Sequence, residues 1–225
     1  MKKSLFVLVA ILLTAPILTG GVHAQWRIGA AGGATYNWHS VDMQYQVDNR
    51  IAGAWGWSAA LFTQYNFKDW IGLRAEVEAM ERNHRFYRTG TYAGTNYTYH
   101  NTYIQLPVMA QFSFGGKVVR GFVNTGVYAG YWAASQQKGS FYVPMGGRTF
   151  DVDEPYIFQS DKDQRGDFGL AGGLGLECRV AEHWAIHVEG RCYYSFISTV
   201  KQYMRVKDYR YNTTLGIQAG FCYIF

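Results

Sequence analysis

Thr214-Leu215-Gly216-Ile217-Gln218-Ala219-Gly220-Phe221-Cys222-Tyr223-Ile224-Phe225 closes the chain, and its alternation decides the fold. Successive side chains of a strand point to opposite faces, so Leu215, Ile217, Ala219, Phe221, Tyr223 and Phe225 share one apolar side. Gly216, Gln218, Gly220 and Cys222 share the other. Such a strand lays its apolar face against a protein core or against lipid, and the remaining segments decide between the two.

The same two-residue period recurs in residues 26–37, 55–67, 71–80, 103–114, 119–132, 168–180 and 184–194, which makes eight predicted strands. Short turns follow the second, fourth and sixth, at Lys68-Asp69, Gly115-Gly116-Lys117 and Ala181-Glu182-His183. Longer polar stretches follow the first, third, fifth and seventh, at 41–50, 82–99, 135–165 and 201–210. Keeping the apolar faces of strands two and three together places Leu61 beside Val77 and Phe67 beside Ile71. Pro107 has no N–H for the ladder, so a missing bond or a bulge is expected in strand four. An even strand count, short turns on the side of the termini and long loops opposite are the pattern of an up-and-down transmembrane barrel.

Composition agrees with an all-β chain. Of 225 residues 17% are aromatic, with 26 glycines and only 4 prolines, a mix that favours closely packed strands. Lys2 and Lys3 precede an apolar run and a small-residue site ending at Ala24. Residues 1–24 are therefore expected to be a secretory signal peptide, and 25–225 the barrel domain. Without those two lysines the formal charge of +5 falls to +3 (5 − 2), too little to imply nucleic acid as a partner. After residue 24 no apolar run reaches the ~18 residues of a membrane-spanning helix. Cys178, Cys192 and Cys222 cannot all pair within one chain and lack metal-ligand spacing.

Charge assigns the faces. Arg74, Glu76 and Glu78 share the polar face of strand three, Glu177 and Arg179 that of strand six, and His187, Glu189 and Arg191 that of strand seven. A basic side chain facing lipid near the midplane costs about 2–4 kcal/mol, so these residues are expected to face the lumen. An eight-stranded lumen is filled by side chains, which predicts a plug of buried ions in which each member needs partners. The pairing of strands six and seven sets Glu177 opposite His187 and leaves Gly175 and Gly173 opposite Glu189 and Arg191. Trp26, Trp55, Trp57, Trp70, Trp132, Trp184 and Phe225 suit interfacial girdles.

Nothing points to catalysis or to a cofactor. His187 and Glu189 lie two apart on one strand, with no serine elbow or zinc motif beside them, and the chain is expected not to be an enzyme. Asp151, Asp153, Asp161 and Asp163 do not complete a calcium loop, since Arg165 stands where a ligand belongs. Arg165-Gly166-Asp167 spells an integrin-type tripeptide, expected to be a chance match. Arg82, Arg85, Arg88, Lys201, Arg205, Lys207 and Arg210 fall in predicted outer loops, where they could meet anionic lipopolysaccharide or only solvent.

The order and spacing of four short motifs resemble the PorT-like outer membrane β-barrel proteins of Gram-negative bacteria. These are Gly56-Trp57-Ser58-Ala59-Ala60-Leu61-Phe62, Leu73-Arg74-Ala75-Glu76-Val77-Glu78, Tyr103-Ile104-Gln105-Leu106-Pro107, and Asp167-Phe168-Gly169-Leu170 with Gly173-Leu174-Gly175-Leu176-Glu177. The resemblance implies an outer-membrane barrel of the general architecture of the OmpA and OmpX transmembrane domains. It implies as partners outer-membrane lipid and lipopolysaccharide, the outer-membrane assembly machinery, which would read the terminal Phe225, and a protein met through the outer loops. It implies little about activity; the leading reading is a non-enzymatic barrel with a plugged polar lumen whose outer loops serve surface interaction or adhesion, and the alternative is a PorT-type accessory of a secretion or assembly machine. A lipid-modifying barrel enzyme is the third reading.

Overall fold

The computed structural model describes residues 25–43, 48–201 and 208–225. The expected signal peptide, and Arg205 and Lys207 of the last loop, lie outside the described residues. Ten strands run in chain order: β1 (Gln25–Met43), β2 (Asn49–Lys68), β3 (Ile71–Glu81), β4 (His84–Arg88), β5 (Asn96–Gly115), β6 (Val119–Val143), β7 (Arg148–Pro155), β8 (Gly166–Ala181), β9 (Trp184–Ser195) and β10 (Asp208–Ile224). Eight of them close a ring by antiparallel pairing, β1-β2-β3-β5-β6-β8-β9-β10 and back to β1. The closure is the one the end of the chain requires, with Ala30 opposite Phe221 and Ala34 opposite Ile217.

Leu61 lies opposite Val77 as expected, but the turn differs from expectation. Ile71 pairs with Lys68 across a register shift between Asn66 and Lys68, so Phe67 falls in a bulge, the device by which a strand absorbs one extra residue. At Pro107 the ladder between β3 and β5 is interrupted: Ala75 pairs with Val108 and Glu78 with Gln105 in one unbroken register, with no pairs between. The missing donor removes bonds without moving the register.

The stretches 82–99 and 135–165 are largely not irregular. β4 wedges between β2 and β5, and β6 continues to Val143 before β7 folds back on it, with Phe141 opposite Phe150. β6 is 25 residues long and β5 is 20, against the roughly 9–11 residues that cross a bilayer. The wall therefore rises well past the membrane at the long-loop end. Both faces of that rise are polar enough to erase the alternation that betrays a membrane strand.

Burial is inverted relative to a water-soluble protein. Leu61 is 68% exposed and Leu174 70%, whereas Glu78 and Glu189 are fully buried. The exposed faces carry Ile28, Val77, Ile104, Val127, Ile186 and Ile217, and they form the band that meets lipid. Trp70, Trp184 and Phe225 stand exposed at the short-turn end and Trp55 and Trp57 toward the other. Trp132 corrects the girdle expectation: it is 8% exposed and points inward, because it shares the inward parity of Phe122, Asn124 and Tyr128 on β6. Cys222 is buried in the lumen, and all three cysteines are free.

The seam between β1 and β10 is tight. A Cβ built on Gly33 would stand 1.9 Å from the Ile217 carbonyl oxygen, whereas one on Gly190 meets nothing nearer than 3.9 Å. Gly33→Ala is expected to destabilise the barrel by about 1–3 kcal/mol through overpacking. Gly190→Ala should stay within about 0.5 kcal/mol of the parent. Urea unfolding of both variants in detergent micelles checks the difference.

Candidate functional site in the lumen and its vestibule

Three layers of ions fill the barrel. Nearest the short-turn end, Nη1 of Arg27 on β1 donates to both carboxylate oxygens of Glu177 on β8 at 2.8 Å. His187 sits close to this layer, edge-on to the rings of Phe62 and Phe122 at 5.5 and 6.2 Å. It pairs opposite Glu177 in the β8–β9 register.

The middle layer gathers Arg74, Glu76 and Glu78 from β3 with Glu189 and Arg191 from β9. Arg191 donates from Nη1 to Glu76 at 2.6 Å and from Nη2 to Glu189 at 2.6 Å. Arg74 lies 2.5 Å from Glu76 and 3.7 Å from Glu189. Alternation explains the convergence, since each residue has the inward parity of its strand. Two guanidiniums meet three carboxyl groups in this layer. Glu78 is the carboxylate served by neutral donors: Tyr193 Oη at 2.5 Å, Gln218 Nε2 at 2.5 Å and Gln105 Nε2 at 2.6 Å. Asn124 donates to Glu189 at 2.9 Å.

Nearest the long-loop end, Arg82 donates from Nη1 to Asp167 and from Nη2 to Gln105 at 2.6 Å. Tyr128 and Ser195 also donate to Asp167. Gln105 thus bridges the outer and middle layers, accepting from Arg82 and donating to Glu78.

Of the eight expected lumen residues, Arg74, Glu76, Glu78, Glu189 and Arg191 form one network, and Glu177 and His187 are buried in a separate layer. Arg179 departs from expectation: it is half-buried near the β8–β9 turn and, among the described residues, forms no ion pair. It is the last residue in register before a shift between Arg179 and Ala181, where the inward column ends. Arg27, Arg82 and Asp167 are members that the charge argument overlooked. Their parity was available, since Arg82 continues the series Arg74, Glu76, Glu78, and Asp167 that of Glu177. Arg82 is fully buried and is therefore no part of an outer basic surface. Asp167 is spent on Arg82 and Arg165 on the Trp132 and Ala133 carbonyls, so the tripeptide Arg165-Gly166-Asp167 is not displayed. Among the described residues no group of three His, Cys, Asp or Glu side chains is placed to hold a metal.

Above Arg82 the lumen opens into a vestibule of about 290 Å3. Its floor is Tyr103, whose ring lies 4.9 Å from the Arg82 guanidinium. The walls include Tyr99, Trp132 and Tyr156, with Trp132 nearly parallel to both Tyr103 and Tyr156 at centroid distances of 5.9 and 6.1 Å. His39 and His84 touch at 4.3 Å. Burial and then the charge of Arg210 hold His39 down at about 4, and burial and the neighbouring His39 hold His84 well below the usual imidazole range. Burial pushes the Tyr156 hydroxyl up to about 12, with Asp163 adding to the shift.

A family model described as "Outer membrane protein beta-barrel domain" matches residues 19–201. Among solved structures, the outer membrane protein OprG from Pseudomonas aeruginosa is similar at 16% identity and a TM-score of 0.54, covering 90% of this chain and 97% of that one. Neisserial surface protein A aligns at 17% identity and a TM-score of 0.43, covering 89% and 97%. Ail of Yersinia pestis aligns at 15% identity and 0.40, covering 91% and 100%. No curated protein matches the chain.

Proposed function

This chain belongs to the outer membrane protein β-barrel domain family and resides in the outer membrane of a Gram-negative bacterium, and on that premise we propose that it is a closed, non-enzymatic barrel whose long-loop end serves contact with the surroundings of the cell. The observation that carries this reading is the lumen itself. Three ion layers, the outer two bridged by Gln105 and packed around Tyr128 and Tyr193, occupy the cross-section where a channel would run. The extended β5, β6 and β7 stand above it as a platform, and the exposed Phe150 and Met145 near its tip give a partner apolar surface to bury. Arg85 and Arg88 on β4 are the basic groups of that end for lipopolysaccharide, with Arg88 resting 4.1 Å over the Tyr92 ring. Phe225 serves as the assembly signal, and the lumen ions serve structure.

The non-enzymatic reading is supported at the outer layer. Ser195 donates to the Asp167 carboxylate and the Ile197 carbonyl, and Asp167 is held in turn by Arg82, so this serine and this acid are engaged by structural partners. The resemblance of four short motifs to PorT-like proteins prompts a second reading, an accessory of a secretion or assembly machine docked through the barrel wall or the short turns.

Three measurements separate these readings. In planar bilayers the protein is expected to give no ion-selective conductance, and an open channel would refute the plugged lumen. Affinity capture from membranes should return no stable stoichiometric machine; recovery of one moves the assignment to the accessory role. The lipid A profile of a deletion strain should be unchanged, and an altered profile would establish the enzymatic reading.

A further inference from the structure

We propose that β7 is a docking edge for an extended peptide segment whose basic and apolar residues alternate, which joins the sheet as an antiparallel strand. The inference rests on the long-loop end being a contact surface and names the kind of partner that end takes.

The backbone comes first. β7 pairs with β6 on one side and, among the described residues, with no strand on the other. The Tyr156 N–H donates to the Ser135 carbonyl at 2.9 Å, and the Tyr142 N–H turns away from β7 to the Thr95 hydroxyl at 3.1 Å. Opposed residues of an antiparallel pair alternate between exchanging both hydrogen bonds and exchanging none. In the β6–β7 register the residues at 148, 150, 152 and 154 therefore turn their peptide groups toward β6, while Thr149, Asp151 and Asp153 turn theirs outward. Pro155, which has no N–H, falls in the outward set, where no ladder bond is lost. Thr149, Asp151 and Asp153 are all exposed. Such a row of outward donors and acceptors is a template for one more strand.

Side chains then select the strand. Thr149, Asp151 and Asp153 share one face, and Arg148, Phe150, Val152 and Glu154 share the other. On the first face Lys138 stands 3.5 Å from Asp153, and Gln136 donates to the same carboxylate at 2.6 Å, so two acids face one lysine. On the second, Phe150 lies opposite Phe141, and both rings are exposed. Opposite charges and apolar side chains are favourable cross-strand neighbours. An incoming strand thus gains from basic residues on the aspartate face and from apolar residues between them.

The same acids refuse a second copy of the chain. In the two-fold registers that pair β7 along its length, Asp151 would oppose Asp151 or Asp153 of the other copy, and like charges directly opposite are destabilising. Charge on the edge therefore blocks self-pairing while inviting a basic strand.

Fluorescence anisotropy tests the edge with a labelled Lys-Val-Lys-Phe-Lys-Val peptide and the full chain in dodecyl maltoside micelles, with protein-free micelles subtracted. The peptide is expected to bind saturably, and its Glu-Val-Glu-Phe-Glu-Val counterpart about tenfold more weakly or worse. An antiparallel strand that lays its lysines opposite Asp151 and Asp153 exchanges hydrogen bonds through the lysine amides. N-methylation of those amides should therefore cost about tenfold or more, whereas N-methylation of the valine and phenylalanine amides should cost little. Asp151→Asn combined with Asp153→Asn should weaken binding about fivefold while retaining heat-modifiable gel mobility. Equal binding of the acidic peptide, equal tolerance of the two methylation patterns, an unaffected double variant or the absence of saturable binding overturns the proposal. A bilayer recording on the same preparation distinguishes the failures: conductance refutes the closed barrel, whereas a silent barrel that holds no peptide refutes this edge alone.

Discussion

Arg191→Ala is expected to destabilise the barrel by about 3–5 kcal/mol, read as a lowered urea midpoint at unchanged slope in detergent micelles. Arg191 donates to Glu76 at 2.6 and 3.0 Å and to Glu189 at 2.6 and 3.1 Å, and both of its carboxylate partners are fully shielded from solvent. Removing it leaves three carboxylates around Arg74 alone. The cost is that of uncompensated buried charge and exceeds the net worth of the ion pairs themselves, since intact buried pairs return little beyond their own desolvation. A companion variant separates the two quantities. Replacing Glu76 by Gln together with Arg191 by Met removes one charge of each sign and should recover most of the loss. If Arg191→Ala unfolds at the parental midpoint, the middle layer is not a network under load. Neither variant should acquire conductance, because the outer layer of Arg82 and Asp167 and the inner layer of Arg27 and Glu177 remain.

The second large effect concerns the opposite face. Leu61 is 68% exposed and lies opposite Ala30 and Val77, midway along the wall. In water an exposed leucine exchanges for arginine at almost no cost. In the bilayer the same change costs about 2–4 kcal/mol at the midplane. Leu61→Arg should therefore be strongly destabilising in lipid vesicles, whereas Phe150→Arg, on the β7 platform above the membrane, should lie within about 0.5 kcal/mol of the parent. Equal effects at the two positions would mean that the apolar band is not where lipid sits.

How far the molecule was legible from its residues differs from region to region. Strands six and seven were readable to the residue: Glu177 faces His187 and Gly173 faces Arg191 in the β8–β9 register, because a period of two and a short turn leave little freedom. The upper parts of β5 and β6 were not readable. Over 96–102 of β5 and 134–143 of β6 the chain pairs largely through polar and aromatic residues, so the hydrophobic alternation that marks a membrane strand is absent. The lumen was legible only where charge is dense. Glu78 announced itself beside Glu76, but the donors that satisfy it, Gln105, Tyr193 and Gln218, come from three other strands and carry no mark in sequence.

The sequence by itself determined that the chain is an antiparallel barrel, which strands neighbour one another at the short turns, and which face of each meets lipid. Those properties follow from local alternation and from the cost of placing charge in hydrocarbon, and neither needs the third dimension. Only the tertiary structure decided who pairs with whom across the lumen: Arg27 with Glu177, Arg191 with Glu76 and Glu189, Arg82 with Asp167. It also turned Trp132 from the girdle into the wall of a vestibule. Partners across a closed ring are fixed by shear and by the height each strand reaches, neither of which a local pattern carries. That is why the same twelve residues at the end of the chain announce a barrel yet are silent about what its mouth can hold.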